Sequence, residues 1–295
     1  MAHVHANGLQ LEYESLGDPS APAIVLIMGL GRQLIGWPNS LCQCLLEAGY
    51  RVIRFDNRDA GLSTHCNHLG RANVSQLSVA KLFGWRLAVP YTLEDMADDA
   101  LALMDALNIR QAHIAGSSLG AAIAQIIAGR NPERTLSLTC LLSTSDNPHL
   151  PGPKPKVKQA LALPYAKPGD EQGIVERALK VFATITGNVH VTPEDVLRES
   201  YITAARRDYD PIAYDRQLAA SIVAQDRRPL LSRVQAPTSV YHGDRDPLFP
   251  LECAKDVANH IADAELIIEP GLGHEMPPQL MPNFANAILT AAART

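Results

Sequence analysis

Three observations predict an α/β fold: a mostly parallel central sheet flanked by helices, with a helical cap inserted late in the chain. Short apolar runs of strand length, at 23–28, 51–55, 136–143, 238–242 and 265–269, alternate with segments of helical character. Strands separated by helices pair in parallel. The stretch 113–130 passes from the end of an apolar strand through Gly116-Ser117-Ser118-Leu119-Gly120 straight into a run rich in Ala and Ile. From about residue 145 to 233 no strand of this core type recurs and the pattern turns helical and charged. The expected division is a core of 1–144 and 234–295 with a cap, or lid, over 145–233.

Composition narrows the function. The 295 residues are 46% hydrophobic, enough for a sizeable core. A net charge of -5 with scattered Lys and Arg argues against nucleic acid as a partner. The N-terminus lacks a basic stretch followed by an apolar one, and no apolar run approaches the ~18 residues of a membrane span, so the expected compartment is the cytoplasm. Five cysteines without C-x-x-C spacing suggest neither a disulfide framework nor a zinc site.

Taken in order, Asn7-Gly8 between alternating segments marks a hairpin. The run 23–28 reads as a strand buried on both faces, followed by Gly29-Leu30-Gly31. A helix over 39–48 and a strand over 51–55 lead into Asp56-Asn57-Arg58-Asp59, polar residues expected to satisfy backbone groups in a tight loop. Residues 64–91 read as irregular. Thr92 with Asp95 caps a helix whose Met96, Ala100, Leu103 and Leu107 share a face. Asn131-Pro132 breaks the helix after the glycine-serine turn, and 136–143 is another buried strand. Helices are expected at 172–185, 193–206 and 213–224 in the cap, then strand 238–242, helix 253–261, strand 265–269 and a last helix over 284–292.

The turn at 116–120 carries the chemistry. A strand, sharp turn and helix around G-x-S-x-G thrust the central serine forward, and a Cβ at Gly116 or Gly120 would clash with the adjacent backbone. Ser118 is therefore the candidate nucleophile. A serine hydroxyl needs a base near neutral pKa, and a carboxylate must hold that base. His274 follows Gly271 and Gly273 after the last strand, in Gly271-Leu272-Gly273-His274-Glu275; the nine other histidines read more simply as packing or surface residues. Asp246, after the strand 238–242 and fixed by Pro247 and Pro250, is preferred as the acid over Asp244, which is expected to pair with Arg245 or cap the turn. Donors for the developing oxyanion are expected from the N–H groups of Leu119, at the helix start, and Leu30. Trp37, Trp85, Tyr91, Phe182, Tyr201, Tyr209 and Tyr214 are explained equally by pocket lining and by packing.

These residues resemble the α/β-hydrolase superfamily along nearly the whole chain: Met28-Gly29-Leu30-Gly31, Gly36-Trp37-Pro38, 52–59 with Gly61 and Ser63, the 116–120 turn, 242–247, and Gly273-His274. Within it the chain is similar to bacterial esterases such as the aclacinomycin methylesterases, which share a Met before the first glycine of the 28–31 motif. The resemblance implies Ser118, Asp246 and His274 as a triad, Leu30 and Leu119 as oxyanion donors, and a serine esterase acting on a small, hydrophobic carboxylic ester through an acyl-enzyme, without metal or cofactor. The same triad also serves carbon-carbon or amide bond cleavage, and a non-catalytic ligand-binding protein on this scaffold is the remaining alternative.

Overall fold

The computed structural model describes residues 1–85 and 87–295. Arg86, within the segment expected to be irregular, lies outside the described residues, as does the side chain of Leu82. The chain opens with β1 (Ala2–Ala6) and β2 (Leu9–Leu16), antiparallel across Asn7 and Gly8. Both turn residues take positive φ, 50° and 74°, as a two-residue hairpin turn requires. There follow β3 (Ala23–Ile27), α1 (Asn39–Glu47), β4 (Arg51–Phe55), α2 (Val74–Leu82), α3 (Leu93–Ala106), β5 (Ala112–Ser117), α4 (Leu119–Arg130) and β6 (Thr135–Leu141). Five helices come next: α5 (Pro155–Leu161), α6 (Glu171–Ile185), α7 (Glu194–Arg207), α8 (Pro211–Val223) and α9 (Arg228–Leu231). The chain ends with β7 (Thr238–Gly243), α10 (Leu251–Asn259), β8 (Glu265–Glu269) and α11 (Met281–Ala292).

The eight strands form one sheet in the order β1-β2-β4-β3-β5-β6-β7-β8. The two pairings involving β2 are antiparallel and all those from β4–β3 to β7–β8 are parallel. Every residue of β3 and β5 is buried, because helices cover both faces of the sheet. Alternation along β3 sends Val25 and Ile27 to the layer packed by α3, α4 and α10, and Ile24 and Leu26 to the layer packed by α1 and α11. Helix α4 lies under the sheet so completely that all its residues from Leu119 to Gly129 are buried.

The order places a switch point between β3 and β5. From β3 the chain moves outward to β4, and from β5 it moves the other way to β6, so the loops leaving β3 and β5 diverge. In open α/β sheets a crevice at the C-terminal ends of such strands is where ligands bind. The register aligns Ile27 with Gly116, which sets Gly29 abreast of Ser117 and Ser118.

One expectation is corrected. The stretch 64–91 is not wholly irregular, since it contains α2, capped by the Asn73 side chain accepting from the Gln76 N–H. Its apolar residues make no continuous stripe: Leu77 and Ala80 are buried, while Val79 is exposed. Helix α2 is held by tertiary packing, Leu77 meeting Ala219 of α8, a partner invisible to local periodicity. Among the described residues no helix is long and apolar enough to cross a membrane.

Candidate active site

The turn between β5 and α4 is as tight as its glycines require. A Cβ on Gly116 would run into the Gly120 carbonyl, and one on Gly120 into that of Ile27. Ser118, between them, has φ 56° and ψ -119°, a conformation that costs a non-glycine residue about 1–3 kcal/mol. The surrounding backbone holds it there: its N–H donates to Leu141 C=O at 2.9 Å, and its C=O accepts from Ala121 N–H at 3.0 Å. The hydroxyl thus stands clear of the sheet at the start of α4, where backbone N–H groups lack intrahelical acceptors.

His274 and Asp246 reach this hydroxyl from two later loops. His274 Nε2 lies 3.0 Å from Ser118 Oγ, and His274 Nδ1 lies 2.7 Å from Asp246 Oδ2. The other Asp246 oxygen accepts from the N–H groups of Leu248 and Phe249, each at 2.8 Å. Burial of the Asp246 carboxyl would raise its pKa, yet it sits below the usual carboxylate value. The imidazole of His274 and these hydrogen bonds outweigh desolvation. An ionised Asp246 only accepts, so Nδ1 of His274 carries a proton toward it, and in the neutral tautomer this leaves Nε2 as the acceptor facing the Ser118 hydroxyl. Asp244 lies outside this relay: its carboxylate accepts the Gly271 N–H at 2.7 Å and ties the Asp246 loop to the His274 loop.

Two buried groups that sequence reasoning passed over support the relay. His242, read above as a packing residue, donates Nε2–H to Phe249 C=O at 2.7 Å and stands 3.4 Å from Asp246 Oδ2. Burial, acting against the neighbouring Asp246 and the Phe249 bond, holds its pKa below the ordinary histidine value. The bonded Phe249 in turn sets its ring edge against His274, centroids 5.3 Å apart. Glu275, next to the base, accepts the N–H of Gly187 at 2.9 Å, and the His274 N–H donates to Ile185 C=O at 2.7 Å. The end of α6 is thereby fastened to the His274 loop. The one sequence signal for His242 was its four-residue spacing from Asp246. For Glu275 there was none, because its partner is 88 residues away.

Leu30 lies in the loop after β3, and Leu119 follows Ser118 after β5, at the switch point. Leu119 begins α4, and among the described residues the Leu30 N–H has no hydrogen-bond acceptor. The strand-end loop before Leu30 is fixed from below by Asn57, whose Nδ2 donates to Met28 C=O at 3.0 Å. The neighbouring polar residues are structural: Asp56 accepts the N–H groups of Leu34 and Leu62, Arg58 pairs with Asp99, and Asp59 pairs with Arg216. Of the aromatic candidates, Trp37 and Tyr91 are core residues. Trp85 is 65% exposed and stacks on Phe83. Tyr214 packs directly over Gly31.

Comparison with known proteins agrees with the fold. Residues 22–278 match the family model described as the alpha/beta hydrolase fold. The chain is similar to a rhodomycin D methylesterase of Streptomyces peucetius, 27% identical over 294 residues and covering 93% of this chain and 92% of that protein. It is also similar to a 2-hydroxy-6-oxononadienedioate/2-hydroxy-6-oxononatrienedioate hydrolase of Pseudomonas putida, 26% identical over 275 residues, with 90% and 85% covered. Among solved structures, the enol-lactonase of Burkholderia xenovorans superposes with a TM-score of 0.71 at 21% identity, covering 99% of this chain and 100% of that one. The chain belongs to the α/β-hydrolase fold family.

Proposed function

We propose that the protein is a serine esterase that cleaves a small carboxylic ester through an acyl-enzyme. The observation that carries this reading is the continuous relay from Ser118 Oγ through His274 to the buried Asp246, with the serine held in a strained turn. In the acylation step His274 Nε2 takes the Ser118 proton as Oγ adds to the ester carbonyl. The N–H groups of Leu30 and Leu119 receive the resulting oxyanion, and His274 returns the proton to the departing alcohol. Water then enters, gives a proton to His274 and attacks the acyl carbon; collapse returns that proton to Ser118 and releases the acid. Asp246 stays ionised throughout and stabilises the imidazolium. The inserted helices serve as the cap in which ester selectivity resides.

The bond chosen, an ester, rests on the similarity to the methylesterase. A second reading, carbon-carbon bond hydrolysis by the same residues, is favoured by the relative whose named substrate is an oxo-dicarboxylate without an ester group. Hydrolysis of p-nitrophenyl esters of increasing acyl length, by wild type and by Ser118→Ala, separates the two. The esterase reading expects turnover that falls about 10⁴-fold or more in Ser118→Ala. Labelling of Ser118 by an organophosphate without turnover of any ester would transfer the site to the second reading.

A further inference from the structure

We infer that Gln217, in the inserted helix α8, is a positioning residue that orients the oxyanion loop, so that one of the two oxyanion donors is set from the cap rather than from the core. Gln217 is completely buried and its amide spans two backbone groups of the core. Its Oε1 accepts the Gly31 N–H at 2.8 Å and its Nε2 donates to the Arg58 C=O at 2.6 Å. The first bond fixes the peptide immediately following Leu30 and turns the Gly31 N–H toward α8, while the Leu30 N–H has no acceptor among the described residues. The second pins the amide so that its oxygen, not its nitrogen, meets Gly31.

The rest of α8 makes this arm rigid. The Tyr214 ring fills the space a Cβ at Gly31 would need, and Gly31 has φ 62°, so the loop and helix are fitted to each other. On the other side of Gln217, Arg216 is buried and pairs with Asp59 through two nitrogens, while also donating to Gly70 C=O at 3.0 Å. A buried amide lost from such an arrangement strands one donor and one acceptor, and the peptide is free to rotate toward other partners. Helix α8 is therefore a fixed wall of the site.

This role rests on the acyl-enzyme reading above, and the experiment separates the two. Gln217→Met removes both hydrogen bonds at nearly constant volume; Gln217→Glu keeps an acceptor for Gly31. Wild type and both variants are assayed for kcat and KM with a p-nitrophenyl ester, for the inhibition constant of a trifluoromethyl ketone, whose adduct needs the oxyanion donors, and for the fraction of Ser118 labelled by a fluorophosphonate. In Gln217→Met, kcat per labelled site should fall about 10- to 100-fold, with KM within about threefold and ketone affinity reduced in step with kcat, a smaller loss than removing a donor outright. Gln217→Glu should retain more of both. Unchanged kcat and ketone affinity per labelled site in both variants would overturn the role of Gln217 alone. A wild-type protein that neither labels nor turns over would overturn the acyl-enzyme reading and this one with it.

Discussion

Asp246 keeps its charge in a place water does not reach, and its value to the site follows from that. Its carboxylate is satisfied by two backbone N–H groups and one imidazole, so it fixes both the tautomer and the direction of His274. Asp246→Asn preserves the shape but offers an amide that either donates to His274 or loses its loop bonds. We expect kcat to fall about 10⁴-fold with the fold retained, measured by ester turnover beside circular dichroism; a loss under tenfold would remove Asp246 from the relay. Ser118, Asp246 and His274 were readable as candidates because each lies in the turn or loop after an apolar run and is flagged by glycine or proline. His242 offered only its spacing from Asp246, and Gln217 offered no signal. The first matters only because the loop after β7 folds its Phe249 carbonyl back onto the strand, and the second meets Gly31 across 186 residues.

At the scale of elements, the loop after β4 and the start of α8 are joined by a titratable link. His65 lies 3.2 Å from Asp210 and 3.5 Å from Asp208, and these carboxylates, acting against burial, raise its pKa to about 9. Because the folded value exceeds the unfolded one, the link stabilises fully below about pH 6.5 and its contribution is lost as pH rises toward about 9. The melting temperature of wild type should therefore exceed that of His65→Gln most at pH 6 and converge with it by about pH 9; a constant difference across that range would contradict the link. Strands and capped helices of the core were legible because apolar runs and the Thr92–Asp95 box are local signals. Helix α2 was not, since its stability comes from contact with α8, and α5 and α9 are short helices whose patterns are too brief to read.

For the whole molecule, the sheet order turns scattered residues into one site. Divergence at β3 and β5 sets Gly29, the neighbour of Leu30, beside Ser118, and extension through β6, β7 and β8 delivers Asp246 and His274 to the same edge. The five helices between β6 and β7 touch both the Leu30 loop, through Gln217, and the His274 loop, through Ile185. Alternation of strands and helices in the sequence implied a parallel sheet, but which strands lie side by side was not locally encoded. In the proposed mechanism Ser118 is acylated during turnover. Rapid quenching of the protein with a p-nitrophenyl ester, followed by mass spectrometry of the peptide containing Ser118, tests this directly. The expected result is the mass of the acyl group on Ser118, formed within the first turnover and absent from Ser118→Ala. Ester turnover with no acyl adduct at Ser118 at any quench time would contradict it.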